Sequence, residues 1–223
     1  MAHSYFVTGT DTGVGKTLVS SALVYQFARQ GLRAVGMKPV ASGCVRVNGQ
    51  WVNEDVSQLL AVSNLDVSTV EINPYAFEPA IAPHVAAAQA GVHISLDVIA
   101  QAFDRLSAQA DVVIVEGAGG FYVPLDDRYT MADLAKRLDI PVILVVGIRL
   151  GCINHALLSV DAIKASGLPL AGWVANQVAP DVPVLHENID SLRQRIHAPC
   201  LAVIPWQAEA DVINVPRIGM FGI

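Results

Sequence analysis

The chain has only three cysteines in 223 residues, Cys44, Cys152 and Cys200. They are too scattered for a zinc cluster, and an odd number cannot close a disulfide framework. Charge is also sparse: charged residues make up 15% of the chain, the net charge is −6, and no basic run stands out. That argues against an extended nucleic-acid surface, but not against a local anion site built from backbone N–H groups. No apolar stretch reaches membrane-spanning length without polar or glycine interruptions. The opening Met1-Ala2-His3-Ser4-Tyr5-Phe6-Val7 lacks a basic segment followed by a long apolar one. It reads as a first strand, not a signal peptide. No glycine-, serine- or charge-rich linker and no internal repeat divides the chain. The expectation is one cytoplasmic domain over residues 1–223, with neither a membrane nor a nucleic acid as partner.

Apolar residues make up 53% of the chain, enough for one sizeable core. The most informative stretch is Thr8-Gly9-Thr10-Asp11-Thr12-Gly13-Val14-Gly15-Lys16-Thr17. It follows the apolar run Tyr5-Phe6-Val7 and opens into Leu18-Val19, giving strand, glycine-rich turn and helix. Its second half has the composition of a phosphate loop. Glycines let N–H groups turn inward, the helix start adds positive potential, Lys16 supplies a charge and Thr17 a hydroxyl for magnesium. The early glycine of the usual pattern is replaced by Thr10, with Gly9 one place before it.

Further along, strand and helix signals alternate. A helix over 16–30 ends at Gln30-Gly31, and Arg33 to Lys38 reads as a second buried strand. Together with the first strand they make a right-handed βαβ unit. Lys38 then lies at the same strand edge as Lys16, where parallel sheets bind ligands. Residues 45–54 read as an exposed hairpin or loop with Asn48-Gly49 at its tip, and Asp55 sits in the first turn of a short helix. The proline-rich segment 70–91 reads as a lid, a substrate loop or a structural spacer and not as a central strand. A helix over 95–109 precedes the β-branched run ending in Glu116-Gly117-Ala118-Gly119-Gly120. Glu116 is placed to serve a magnesium shell, while Asp111, at the opposite end of that strand, reads as a solvated or capping residue. A helix from about Thr130 precedes a buried strand from Pro141 to Gly147, and another helix starts at Gly151-Cys152-Ile153-Asn154-His155. A strand from Leu168 to Asn176, a helix over 184–196 and a last strand from Cys200 to Trp206 follow. The fold class is therefore α/β: a doubly wound, mostly parallel sheet with helices on both faces, of the P-loop type.

This ordered set resembles the dethiobiotin synthetase family along almost the whole chain. The resemblance rests on the loop 8–17, Lys38-Pro39-Val40-Ala41-Ser42-Gly43, Asn73-Pro74-Tyr75 and Val115 to Gly120. It extends over Pro141 to Gly147, Leu150 to Ala156, Ala171 to Asn176 and Ile204-Pro205-Trp206. It implies a magnesium- and ATP-dependent cyclo-ligase that closes a ureido ring on 7,8-diaminononanoate with CO2, working as a homodimer with substrate near the interface. It implies ATP contacts from Gly13, Val14, Gly15, Lys16, Thr17 and Leu18, from Gly117, Ala118 and Gly119, and from Asn176, Gln177, Pro205, Trp206 and Gln207. Thr17, Asp55 and Glu116 would form the metal shell. Lys16, Lys38 and Thr12 would be the catalytic groups, and Thr12, Lys38, Ser42 and Gly151 to Asn154 (through Cys152 and Ile153) would hold substrate.

One position departs from the family pattern. Some members carry glutamate directly after the Thr-Asp-Thr triplet, where this chain has Gly13. Two rival readings remain within the superfamily. An amide-forming relative needs an ammonia source, and no glutaminase region is present. A partitioning or positioning ATPase often has a second lysine early in the loop, where this chain has Thr10, Asp11 and Thr12.

Overall fold

The computed structural model describes residues 2–220. In chain order the elements are β1 (His3–Gly9), α1 (Lys16–Arg29), β2 (Ala34–Met37), β3 (Val40–Ser42), β4 (Val45–Val47) and β5 (Gln50–Val52). Next come α2 (Glu54–Val62), α3 (Thr69–Ile72), β6 (Tyr75–Phe77), α4 (Pro83–Ala90), α5 (Leu96–Ser107) and β7 (Val112–Gly120). The chain continues with α6 (Met131–Leu138), β8 (Val142–Ile148), α7 (Cys152–Ala165), β9 (Leu170–Gln177), α8 (Leu185–Arg195) and β10 (Cys200–Ile204), and a 3-10 turn covers Val212–Asn214.

Six strands form one sheet in the order β10-β9-β8-β1-β7-β2, and every pairing in it is parallel. The expected doubly wound α/β architecture is therefore present. Strand side chains alternate between two cores, as the period of two requires. Phe6 joins the core covered by α5 to α8, and Val7 joins the one covered by α1 and the segment after the 3-10 turn. Val112–Val115 and Val142–Val146 are buried throughout, which accounts for their lack of polar alternation. At edge strand β2, Gly36 lies beneath α2: an added Cβ would fall 2.6 Å from Leu59 Cδ2.

β1 is central, with β7 on one side and β8 on the other. The strand order reverses there, and a ligand crevice opens at the carboxyl ends of these strands. The loop after β1 emerges at that point.

One region is more ordered than the sequence suggests, and another takes the hairpin form that was one of its two expected alternatives. The segment 70–91 holds α3, β6 and α4; β6 pairs in parallel with β3 in a small separate sheet, and Pro83 opens α4. Residues 45–52 form the antiparallel β4–β5 hairpin, with left-handed Asn48 (φ 51°) and Gly49 (φ 81°) at its tip. Among the described residues, no helix is long and apolar enough to cross a membrane.

Candidate active site

The loop between β1 and α1 turns on glycines at three points. Gly9 ends β1, where a Cβ would lie 2.7 Å from Val14 Cγ2 and 2.9 Å from the Asp11 carbonyl. The close approach expected of the early glycine is thus made one residue sooner. Gly13 and Gly15 have φ of 72° and 88°, a region L side chains rarely enter. A Cβ on Gly13 would meet nothing, so backbone conformation and not space favours glycine there. Gly15 is the N-cap of α1, so the first free N–H groups of that helix face the crevice.

Asp11 organises the start of the loop. Its Oδ1 accepts from the Thr12 N–H at 2.7 Å, and its Oδ2 pairs with Arg149 at 2.5 Å. These contacts, the Thr12 N–H foremost, hold its carboxyl below the usual range. The Asp11 carbonyl accepts from Lys16 Nζ at 2.9 Å. Burial, and then the charge of Lys38, lower the Lys16 pKa to about 8.

Lys38 lies just beyond β2 and points into the same cavity. Its ammonium donates to Asp55 Oδ2 at 2.7 Å and Glu116 Oε1 at 2.5 Å, and Thr17 Oγ1 donates to Glu116 Oε1 at 2.9 Å. Burial alone would lower the Lys38 pKa, but Glu116 and Asp55 outweigh it and the net direction is up. Burial raises Asp55, Lys38 opposes it, and the net direction there is down. Two lysines and two carboxylates balance, which allows so many charges to share a buried edge.

Helix α2 brings Asp55 to this edge. Its N-cap Asn53 accepts from the Val56 N–H and donates through Nδ2 to the Ser42 carbonyl at 3.2 Å. One side chain therefore caps the helix and ties it to β3. Two buried polar atoms in the cavity have no partner, Ser42 Oγ and Glu116 Oε2. Each is free for a ligand, whether substrate, phosphate or metal-bound water.

The cavity measures about 700 Å³. Thr12, Gly13, Gly15, Lys16, Thr17, Lys38, Ser42, Asp55, Glu116, Ala118 and Gly119 all line it. Its remaining wall is Val40, Ala80–Pro83 and Val123, an apolar surface drawn in part from the segment expected to be a lid, substrate loop or spacer. The only sequence signal for it was the proline cluster of the 70–91 segment. Val14 instead packs into the core, Gly117 lies against the Phe6 ring, and Leu18 is half-buried outside the cavity lining.

The other candidate residues lie outside this cavity. The buried amide of Asn176 donates through Nδ2 to the Val14 carbonyl at 2.9 Å, which leaves its Oδ1 as the acceptor for a base edge. Gln177 Oε1 accepts from the Trp206 N–H at 3.5 Å, and Pro205 and Trp206 are exposed beside it. Gly151 (φ 90°) caps α7, placing Cys152 at its first turn, buried, and Asn154 exposed. The His155 side chain is exposed on the same turn. Asp111 lies at the far edge of the sheet, paired with Arg33 at 2.7 Å.

A protein-family profile described as an AAA domain matches residues 3–213. An ATP-dependent dethiobiotin synthetase of Aromatoleum aromaticum is 54% identical over 213 residues, covering 96% of this chain and 95% of that protein. A protein of the same name from Nitrosospira multiformis is 52% identical, covering 99% and 98%. The chain belongs to the dethiobiotin synthetase family. Solved structures extend the likeness at the level of fold alone. The septum site-determining protein MinD of Pyrococcus horikoshii, complexed with Mg-ADP, superposes with a TM-score of 0.60 at 15% identity, covering 97% of this chain and 87% of that one. The signal recognition particle receptor FtsY of Elizabethkingia anophelis gives 0.56 at 17% identity, and this chain spans 62% of its length. Membership of the family is therefore decided by the curated relatives and not by these structures, which are similar in fold alone.

Proposed function

We propose that this chain is an ATP-dependent cyclo-ligase that joins 7,8-diaminononanoate and CO2 into dethiobiotin, releasing ADP and phosphate. The observation that carries the reading is the convergence of Lys16, Thr17, Lys38, Asp55 and Glu116 on one cavity that also holds the unpartnered Ser42 hydroxyl, in a chain of this family.

One amine of the diamine adds to CO2 and loses a proton, giving a carbamate. A carbamate oxygen attacks the γ-phosphorus of ATP and ADP leaves. The second amine then attacks the carbonyl carbon of the mixed anhydride, and phosphate departs as the ring closes. The protein's part is positioning and charge stabilisation. Lys16 exchanges the Asp11 carbonyl for the β- and γ-phosphates. Lys38 is held charged at the cavity wall and stabilises the carbamate and the transferring phosphoryl group. Thr12 and Ser42 orient substrate, whose aliphatic chain suits the Val40, Ala80–Pro83 and Val123 wall. Asn176 offers Oδ1 to the adenine amine, beside Pro205, Trp206 and Gln207.

Thr17, Asp55 and Glu116 suit magnesium: two carboxylates and a hydroxyl, with one carboxylate oxygen unpartnered, leave room for phosphate oxygens and water. The metal, when bound, neutralises charge on the triphosphate. A homodimer is supported by exposed apolar residues along α7: Leu150, just before the helix, is fully exposed, and Leu158, about two turns further on, is 61% exposed. In this reading the Gly151–Asn154 N–H groups reach the substrate carboxylate of the other subunit.

The decisive assay supplies diamine, bicarbonate, magnesium and ATP and follows the ureido product by mass. Stoichiometric dethiobiotin, ADP and phosphate are expected. Phosphate release without the ureido product would overturn the assignment.

A further inference from the structure

After β10 the chain leaves the sheet through Pro205, Trp206 and Gln207, makes the Val212–Asn214 turn, and returns across α1. One side chain makes three hydrogen bonds to the returning segment. Gln26 Nε2 donates to the carbonyls of Val215 at 3.4 Å and Pro216 at 3.1 Å, and Gln26 Oε1 accepts from the Ile218 N–H at 2.9 Å. The amide thus grips the strap from both sides. Gly219 N–H then donates to the Leu201 carbonyl at 2.9 Å, tying the strap back to β10.

The segment between β10 and this grip is therefore a closed loop. At its start the Trp206 N–H meets Gln177. Within it, Gln207 Oε1 accepts from the Asp211 N–H at 3.0 Å, while Gln207 Nε2 is buried with no partner among the described residues. The loop keeps one amide donor for a ligand. Gln26 itself is nine residues beyond Thr17 on α1, about 13 Å along the axis, and cannot reach a triphosphate held at the helix start.

We infer that Gln26 is a positioning residue for the nucleotide base: through the C-terminal strap it sets the register of the loop carrying Trp206 and Gln207. The inference rests on the nucleotide reading above. Val215 and Ile218 are buried against α1, so the strap stays docked when the amide is lost. What changes is its register along the helix, and with it the base loop. Because α1 presents Gln26 half-buried, alanine is compatible with the helix there.

The experiment measures binding of ATP and of inorganic tripolyphosphate to the native chain, Gln26→Ala and Gln26→Glu. Glutamate keeps an acceptor for Ile218 but sets oxygen against two carbonyls, so both variants should behave alike. ATP should bind roughly three- to tenfold more weakly in each, because part of the effect of losing two neutral hydrogen bonds in the glutamate variant and three in the alanine variant reaches the base loop. Tripolyphosphate should bind unchanged, and KM for ATP should rise with kcat and KM for the diamine unaltered. Unchanged ATP affinity, or equal weakening of ATP and tripolyphosphate, would overturn the inference alone. A native chain that binds tripolyphosphate but shows no preference for ATP would overturn the base-site reading together with it.

Discussion

Lys38 carries both the chemistry and the integrity of the site, and the two can be separated. Glu116 is fully buried and its Oε1 depends on Lys38 and Thr17 for hydrogen bonds. Removing the ammonium leaves a buried carboxylate without its cation, which costs about 3–5 kcal/mol. Lys38→Met should therefore lose that much stability by chemical denaturation, and its ring-closing rate should fall by about a hundredfold or more. Adding Glu116→Gln should restore most of the stability and none of the turnover. If the double variant were no more stable than Lys38→Met, the charge balance described here would be wrong. Gly15 offers a second test. At φ 88° and facing the Asn176 amide, it has room for no side chain. Gly15→Ala should weaken ATP binding by roughly tenfold or more, the cost of a strained left-handed residue. At this scale the sequence was highly legible, because the phosphate loop is contiguous and its glycines report backbone conformation directly. Lys38 and Glu116 were legible as groups at the ligand edge because each ends a strand, whereas Ser42 and Asp55 come from other elements and are tied to that edge firmly only by the family pattern. Ala80–Pro83 fell within the segment read as a lid, substrate loop or spacer, and its small apolar residues carry no chemical signature to decide between these.

Elements are held in register at the far edge of the sheet by Arg33 and Asp111, at the starts of β2 and β7. The Asp111 carboxylate accepts from the Arg33 side chain at 2.7 and 3.1 Å and from its backbone N–H at 2.9 Å. These bonds, led by the side chain of Arg33, lower the Asp111 pKa to about 2. An aspartate whose folded pKa is depressed contributes stability above its unfolded value, near 4, and loses it as pH falls through the folded value. The melting temperature of Asp111→Asn should therefore lie below the native one at pH 5 to 7. The gap should narrow between about pH 4 and 2 and close below that. A gap independent of pH would mean the pair contributes only shape. Sequence reading had Asp111 as solvated or capping, and in the fold it is exposed but paired. Its partner is far away in sequence, so periodicity could not name it. The same limit hid the β3–β6 pairing, where two three-residue strands with no usable period meet only after the intervening hairpin and helices fold. Long helices such as α5 and α7 and the β-branched strands β7 and β8 were legible because each carries its own pattern.

At the scale of the whole molecule, the proposed homodimer makes a claim that can be tested: each site would be completed by the partner chain. Leu150, just before α7, and Leu158, midway along it, leave apolar surface that water does not favour from the start of the helix to its middle, and Gly151 starts that helix with free N–H groups. If a twofold partner covers this surface, each cavity draws phosphate-side groups from one chain and carboxylate-side groups from the other. Two inactive variants then become informative. Lys38→Ala removes the ammonium, and Gly151→Val strains the α7 start at φ 90°. Unfolded together and refolded in equal amounts, they form mixed dimers in half of all cases, and one of the two sites in each mixed dimer inherits both intact halves. Activity should return to about a quarter of the native level, the statistical yield for a closed twofold pair. A site built within one chain would give no recovery, because every cavity would then carry one of the two lesions. Leu150→Glu, added to both variants, should abolish the recovery and shift the sedimentation to that of a single chain, linking the restored turnover to the α7 face itself.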